Sequence, residues 1–409
     1  MAENKQNKRP NVPPLRFPEF SEPWERKKLS NFTERVTRKN KGQTNLPLTI
    51  SAQYGLVDQI SFFNNKVASA DMSNYYLLKR GEFTYNKSYS SDYPLGAVKR
   101  LDLYDMGALS TLYICFKIVG DINSDYLVHY FESPKWHRGV YEIAGEGARN
   151  HGLLNIAVGD YFETQHYLPC SLKEQEKIAS MLNLIQRRIE VQSKLIEQLE
   201  SLIKGICHDF HNHIKGWLQV SFSELGTDYG GLSNKTAADF GEGKPFITYL
   251  NVYTNRIVNE NHVQFVNVTD DENQNKVKWG DVLFTLSSET PDEVAVGSVY
   301  LGNNNELYLN SFCFGIHIDN EQLVFQPYLA YLISSPQFRK WVFPLAQGST
   351  RFNLHKADFM KKKFLLPPLE EQKKLYQCLN SISRRIVFET SILDDLQELK
   401  QSLLQQMFI

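Results

Sequence analysis

Two segments of the chain, SLKEQEKIASMLNLIQRRI at 171–189 and PLEEQKKLYQCLNSISRRI at 368–386, are versions of one sequence set 197 residues apart. Aligned without gaps, 168–212 and 365–409 share thirteen identities, among them Leu172/Leu369, Glu174/Glu371, Gln175/Gln372, Asn183/Asn380 and Arg187-Arg188/Arg384-Arg385. The likeness continues outside these segments. YLVHYFESPKW (126–136) parallels YLAYLISSPQF (328–338), and AGEGARN (144–150) parallels AQGSTRF (346–352), which sets Arg149 opposite Arg351. WERKKLSNF (24–32) parallels WLQVSFSEL (217–225) more weakly. A period this long means duplicated domains rather than a solenoid, so the chain reads as two copies of one unit, each a mixed head followed by a helix.

The helices are the clearest part. Ser171 with Glu174 has the spacing of a capping box, and prolines stand just ahead of each helix start, Pro169 in one copy and Pro367-Pro368 in the other. Apolar residues then fall at Ile178, Leu182, Ile185, Ile189, Ile196, Leu199, Ile203 and Ile206, a 4-3 alternation with Gln192 filling the gap. The second copy has Leu375, Leu379, Ile382, Ile386, Leu393, Leu396 and Leu403, with Glu389 opposite Gln192 and Lys400 also on the seam. Such a narrow stripe is a coiled-coil seam, not a broad core face. A partner helix is already present in the same chain, so pairing within the chain is favoured over capture of a foreign helix. Repeats that pair as a homodimer would, about a pseudo-twofold axis, place the helices antiparallel, as a rod of about 50 Å at 1.5 Å per residue. The expected fold class is therefore α/β and internally duplicated: two α/β heads separated by two long antiparallel coiled-coil helices. The expected boundaries are a disordered lead-in at 1–14, a head at 15–166, a helix at 167–212, a head at 213–364 and a helix at 365–409.

Each head carries a strand, a polar loop and a return strand at a matched place, KRGEFTYNKSYSSDYPLGAVKRL (79–101) and KWGDVLFTLSSETPDEVAVGSVYL (278–301). Frames that agree around loops that differ suit two readers on one scaffold. The plainer reading, two ordinary hairpin loops, is at least as good for any single loop residue. In the first loop Asn86 offers the paired donor and acceptor that suit adenine, and Lys87 suits guanine or phosphate. Tyr85, Tyr89 and Tyr93 offer stacking or hydroxyl contacts, and Ser88, Ser90 and the following Lys99 complete the candidate set there. In the second, Thr285, Ser287, Ser288 and Glu289 are candidates, the glutamate as an acceptor for a cytosine amino group. Arg149 and Arg351, each in a Gly-containing polar turn, rank above the loop residues because an arginine stands there in both copies. The run Lys361-Lys362-Lys363 reads first as a solvated edge.

The net charge is −1, which by itself argues against a dedicated nucleic-acid binder. The sum hides an uneven distribution: eleven Lys/Arg against five Asp/Glu in 1–42, seven against one in 335–365, and five against fifteen in 220–325. No apolar run is long enough to span a membrane, the N-terminus lacks the apolar core of a secretory signal, and five cysteines without a CxxC pair fit a reducing, cytoplasmic setting. The cluster HDFHNH (208–213) has no counterpart in the second copy and reads as a solvated linker, not a metal or nuclease site. No phosphate-binding loop, dinucleotide fingerprint, nucleophile elbow or zincin motif is present. These residues describe a binding protein, with a coiled-coil adaptor for other proteins as the alternative to a reader of DNA.

PLRFPEFSEPWERKKLSNF (14–32), FTYNKSYSSDYPLGAVKR (83–100), LPPLEEQKKLYQCLNSISRRI (366–386) and the two-head, two-helix plan together resemble the specificity (S) subunit of type I restriction–modification enzymes. In the first copy the helix-opening phrase departs from the family form, LPCSLKEQ lacking the second proline. The resemblance implies that each head is a target-recognition domain for one half of a bipartite, asymmetric site on double-stranded DNA. It implies that the helices set the gap and dock two modification (M) subunits, with two restriction (R) subunits joining. It also implies that the chain has no catalysis and binds no cofactor of its own, S-adenosylmethionine, ATP and magnesium belonging to those partners.

Overall fold

The computed structural model describes residues 11–409 except 52–53, 64–68, 70, 89–92, 145–153 and 270, and no side-chain detail at 211–212. The chain forms two compact units, residues 1–193 with 391–409, and residues 194–390. Each unit therefore owns the first half of one long helix and the second half of the other.

In the first unit the central sheet has four antiparallel strands in the order Thr33–Arg35, Ile114–Ile118, Phe83–Asn86, Ala97–Arg100. In the second the order is Gly226–Gly230, Cys313–Ile318, Val282–Thr285, Gly297–Val299. Strand for strand this is one topology written twice. A two-stranded ribbon stands at the foot of each head, Glu25–Lys28 on Gln165–Leu168 and Leu218–Val220 on Phe364–Leu366. The weak match of WERKKLSNF to WLQVSFSEL is thus a structural one, since each segment supplies a ribbon strand followed by a short helical turn, Leu29–Asn31 or Phe222–Leu225.

The central helix runs Leu172–His213 and the terminal helix Leu369–Gln406. In the first unit Ile178, Ala179 and Leu182 pack with Leu403, Leu404, Met407 and Phe408, so the start of one helix lies against the end of the other. In the second unit Ile203, Ile206, Cys207 and Phe210 pack with Leu375, Leu379, Ile382 and Ile386 in the same reversed sense. Antiparallel pairing is what the repeated seam requires. Along the seam Ile185, Ile189, Ile196, Leu199, Leu393 and Leu396 are half-buried, while Ile178, Leu182, Leu375 and Leu379 merge with the head cores and are buried.

The helix-opening Glu-Gln pair has two distinct jobs. Gln175 accepts from the Asn123 backbone N–H (2.9 Å) and donates to the Pro169 carbonyl (3.0 Å). Gln372 accepts from the Phe325 N–H (2.9 Å) and donates to the Leu323 and Pro367 carbonyls (both 2.8 Å). Both glutamines are buried, and an amide is the side chain that can satisfy a donor and an acceptor at once. The capping box expected of Ser171 and Glu174 is not what the glutamate does. Its buried carboxylate instead takes a two-pronged bond from Arg16 (2.7 and 2.8 Å) and the indole N–H of Trp24 (3.1 Å), a charge-assisted pair stronger than a cap. Glu371 is only half-buried and pairs with Lys374 at 2.7 Å.

Candidate nucleic-acid interface

In the second unit a small three-stranded sheet assembles the candidate residues. Ser287–Ser288 pairs with Phe352–Leu354, which pairs in turn with Ala346–Gln347. The turn between the last two strands needs Gly348. Its φ is +133°, and a Cβ there would lie 2.2 Å from the Arg351 carbonyl oxygen. That turn puts Arg351, exposed, beside Ser287, whose hydroxyl accepts from Nη2 at 3.2 Å. The guanidinium also lies 6.0 Å over the exposed ring of Phe312. An arginine held from two sides with its fork exposed can meet a phosphate or the O6/N7 edge of guanine without first losing its own freedom.

Further residues join this cluster. The Tyr249 hydroxyl donates to the Ser287 carbonyl at 3.0 Å, and its ring stacks on Tyr253 at 5.9 Å. Ser288 donates to Glu293 at 3.2 Å. Hydrogen bonds from Tyr253, Thr290 and Ser288 hold the Glu293 carboxyl below the usual glutamate range, keeping it an acceptor. Tyr249, Tyr253, Glu293 and Phe312 are absent from the sequence-based set. The i, i+4 spacing of the two tyrosines in TYLNVYT was a visible signal, but nothing local tied it to Ser287, more than thirty residues away.

Thr285 requires a correction: it is fully buried and donates to the Val296 carbonyl (3.3 Å), so it supports the strand and presents nothing to a base. Ser287 and Ser288 are also buried and act by positioning Arg351 and Glu293. Glu289 is exposed.

In the first unit Tyr85 needs the same correction. It is fully buried, stacked on Tyr161 at 4.7 Å and edge-on to Trp136 at 5.7 Å, with its hydroxyl donating to the Leu95 carbonyl (2.8 Å). Alternation along Phe83–Asn86 turns Tyr85 inward, and burial pushes its phenol far above the ordinary value. Asn86 ends the strand half-buried, its Oδ1 accepting from the Ser88 N–H at 3.0 Å, and Ser88 is exposed. Lys87 donates to the Ile156 carbonyl at 3.4 Å. Gly96, at φ +76° and with the Asn86 carbonyl where a Cβ would go, closes the loop. Tyr93 is half-buried, in a groove of about 960 Å³ that Lys99 also lines. Lys99 is not available as a free phosphate contact, because with Lys400 it pairs Glu132 (3.6 and 2.7 Å). Burial acts to raise the Glu132 pKa, but His129 and these two lysines outweigh it and hold the carboxyl well below the usual range. Tyr89, Ser90 and Arg149 lie outside the described residues. Lys362 and Lys363 are engaged locally, Lys362 donating to the Trp341 carbonyl (2.6 Å) and Lys363 pairing with Glu224. Among the described residues no group of three His, Cys, Asp or Glu side chains could hold a metal, and no helix is long and apolar enough to cross a membrane.

The two units thus share one sheet topology and differ in the polar and aromatic side chains at the ends of their matched strands. Residues 215–398 match the family model described as the type I restriction modification DNA specificity domain. The fold over nearly the whole chain is shared with the type I restriction-modification system S subunit from M. genitalium. The identity there is 14%, the TM-score is 0.56, and 97% of this chain and 99% of that one are covered. It is likewise shared with a chain from a structure of a type I R-M system addressing complex assembly and conformational transition, at 15% identity and TM-score 0.56, covering 95% and 99%. The family match thus falls on residues 215–398, and the likeness in fold to the two S-subunit structures extends over nearly the whole chain.

Proposed function

We propose that each unit reads one half of a bipartite, asymmetric site on double-stranded DNA, with the helix pair setting the gap between the halves and docking methyltransferase subunits. The observation that carries this reading is the pairing of one repeated sheet topology with unlike loop chemistry: Asn86, Lys87 and Ser88 in one head, and Arg351 with Tyr249, Tyr253 and Phe312 in the other. A duplicated scaffold suits the two strands of the duplex, and unlike readers on it make the combined target non-palindromic. Two modification and two restriction subunits complete the proposed assembly. S-adenosylmethionine, ATP and magnesium are assigned to those partners, and this chain supplies recognition without catalysis.

Exchange of residues 43–160 for those of another S subunit tests the division of labour. The methylated motif is expected to change in one half only, with the other half and the gap unaltered. A change in both halves would contradict independent readers, and an unaltered motif would remove the first head from recognition.

A further inference from the structure

The two units differ at one matched place. In the first, the end of the terminal helix turns into the core. Phe408 is fully buried, its ring 5.4 Å from Tyr126 and 5.8 Å from Tyr130, in the cluster that also holds Trp24. The segment from Asn11 to Trp24 closes over it, the Leu15 N–H donating to the Gln406 carbonyl (3.0 Å) and the Trp24 N–H to that of Asn11 (2.9 Å). The repeat sets Phe408, Tyr126, Tyr130 and Trp24 opposite His211, Tyr328, Leu332 and Trp217. In the second unit Tyr328, Leu332 and Trp217, joined by Phe210, Phe338 and Trp341, line an open cavity of about 320 Å³. The chain there runs on from the central helix into the next head instead of turning inward. Trp217 donates its indole N–H to the Ile214 carbonyl (3.0 Å), where Trp24 donates to Glu174.

Basic residues stand in and beside this cavity. Lys363 stands in its wall, and an adjoining cavity of about 190 Å³, which shares Gln337 with it, is lined by Lys204, His208 and Lys340. Glu224 offsets one of these charges through Lys363. The chain's own first ten residues are unsuited to the place. They hold no aromatic residue and carry Lys5, Lys8 and Arg9 against Glu3.

We propose that this cavity is a socket for an aromatic side chain carried on an acidic segment of a partner polypeptide, which does from outside what Phe408 does from within. The partner is the methyltransferase subunit, so the proposal rests on the reading of the chain as one subunit of a larger complex. Because Phe408 already closes the matching place in the first unit, this contact is one-sided. A desolvated aromatic anchor in a pocket is the kind of contact that dominates an interface, and the lysines in and beside the cavity steer an acidic segment towards it.

The full-length chain is titrated with purified methyltransferase subunit as wild type, as Leu332→Trp, which fills the cavity, and as Lys340→Glu, which reverses one exposed charge in the adjoining cavity. Leu332→Trp is expected to weaken association at least tenfold. Lys340→Glu is expected to weaken it severalfold at low salt, and less as salt rises. The small probe 3-phenylpropionate, a ring with a carboxylate, is expected to bind the wild type and not Leu332→Trp. Since Lys340 lies on the surface, its variant reports even if the tryptophan disturbs folding. Association at wild-type strength in both variants overturns the socket while leaving the subunit reading intact. A wild type that binds phenylpropionate but no methyltransferase overturns the assigned partner and the subunit reading together.

Discussion

Arg351 shows how much a single residue depends on its surroundings. Ser287 and Phe312 restrain its guanidinium, and the Gly348 turn aims it outward. Its planar fork is what guanine or phosphate recognition uses, and lysine in its place offers only a point charge. Arg351→Ala is expected to weaken methylation of the cognate site in the assembled complex by about fivefold or more, an effect of about 1–3 kcal/mol for a lost bidentate contact. Arg351→Lys should restore little if the contact is to a base edge and most of it if the contact is to phosphate. Restriction-protection assays against cognate and single-mismatch sites separate the two, and an alanine variant with wild-type methylation would remove Arg351 from recognition. The sequence made this arginine visible, because the repeat aligned it with Arg149. Nothing local tied Phe312 or the visible pair Tyr249 and Tyr253 to this site, since what brings them to Ser287 is strand pairing between segments far apart in the chain. Tyr85 and Thr285 erred for a simpler reason. Each sits in a run of buried strand residues, where polar atoms are satisfied inside the head and composition does not reveal which way a side chain faces.

At the scale of elements, the two feet of the heads solve one packing problem with different chemistry. Under the first head His166 is buried between Tyr130 and Thr164, at 2.8 Å from Nδ1 and 2.9 Å from Nε2. Thr164 gives its proton to the Tyr161 carbonyl (2.6 Å), so its oxygen accepts from His166 Nε2–H, and Nδ1 accepts from the Tyr130 hydroxyl. That arrangement holds the imidazole neutral, and burial pushes its pKa down to about 4. The unfolded chain takes up the proton near the ordinary value of about 6.5. Stability from this site is therefore full above that pH and is lost as pH falls towards 4. The loss between pH 7 and pH 4.5 is about 2–3 kcal/mol. In the second unit the register of the ribbon sets Phe364 at the place of His166, and the repeat sets Leu332 at that of Tyr130, so this titration is lacking there. His166→Phe is expected to lower stability at pH 7, because Tyr130 loses its acceptor, yet to flatten the decline towards pH 4.5 by about 2–3 kcal/mol. Urea denaturation at the two pH values measures this, and a variant that keeps the wild-type decline would place the acid sensitivity elsewhere. The helices themselves were the most legible elements in the sequence, because a seam repeated over several turns leaves a periodic trace that a four-residue strand cannot. Even so, the job of Glu174 was hidden, since Arg16 and Trp24 reach it from the far end of the same unit.

At the scale of the molecule, duplication is the fact from which the rest follows. Two copies of one sheet topology were legible because identities in the helices fixed the alignment, and weaker matches such as Trp24 with Trp217 could then be read through it. The alignment also exposes where the copies have parted: a buried Phe408 in one and an open cavity in the other, His166 against Phe364, Arg16 and Trp24 on Glu174 against a surface pair at Glu371. These departures leave the frame intact and change what each unit presents. The central claim, that this frame carries two independent readers of one DNA site, is tested most directly by co-expression with the partner methyltransferase in a methylation-free host and genome-wide mapping of N6-methyladenine. The account predicts a single split motif with unlike halves and a fixed gap, methylated on both strands. An assembled complex that leaves the genome unmethylated, or that marks an undivided motif, would contradict it and return the exposed loop residues to the role of protein contacts.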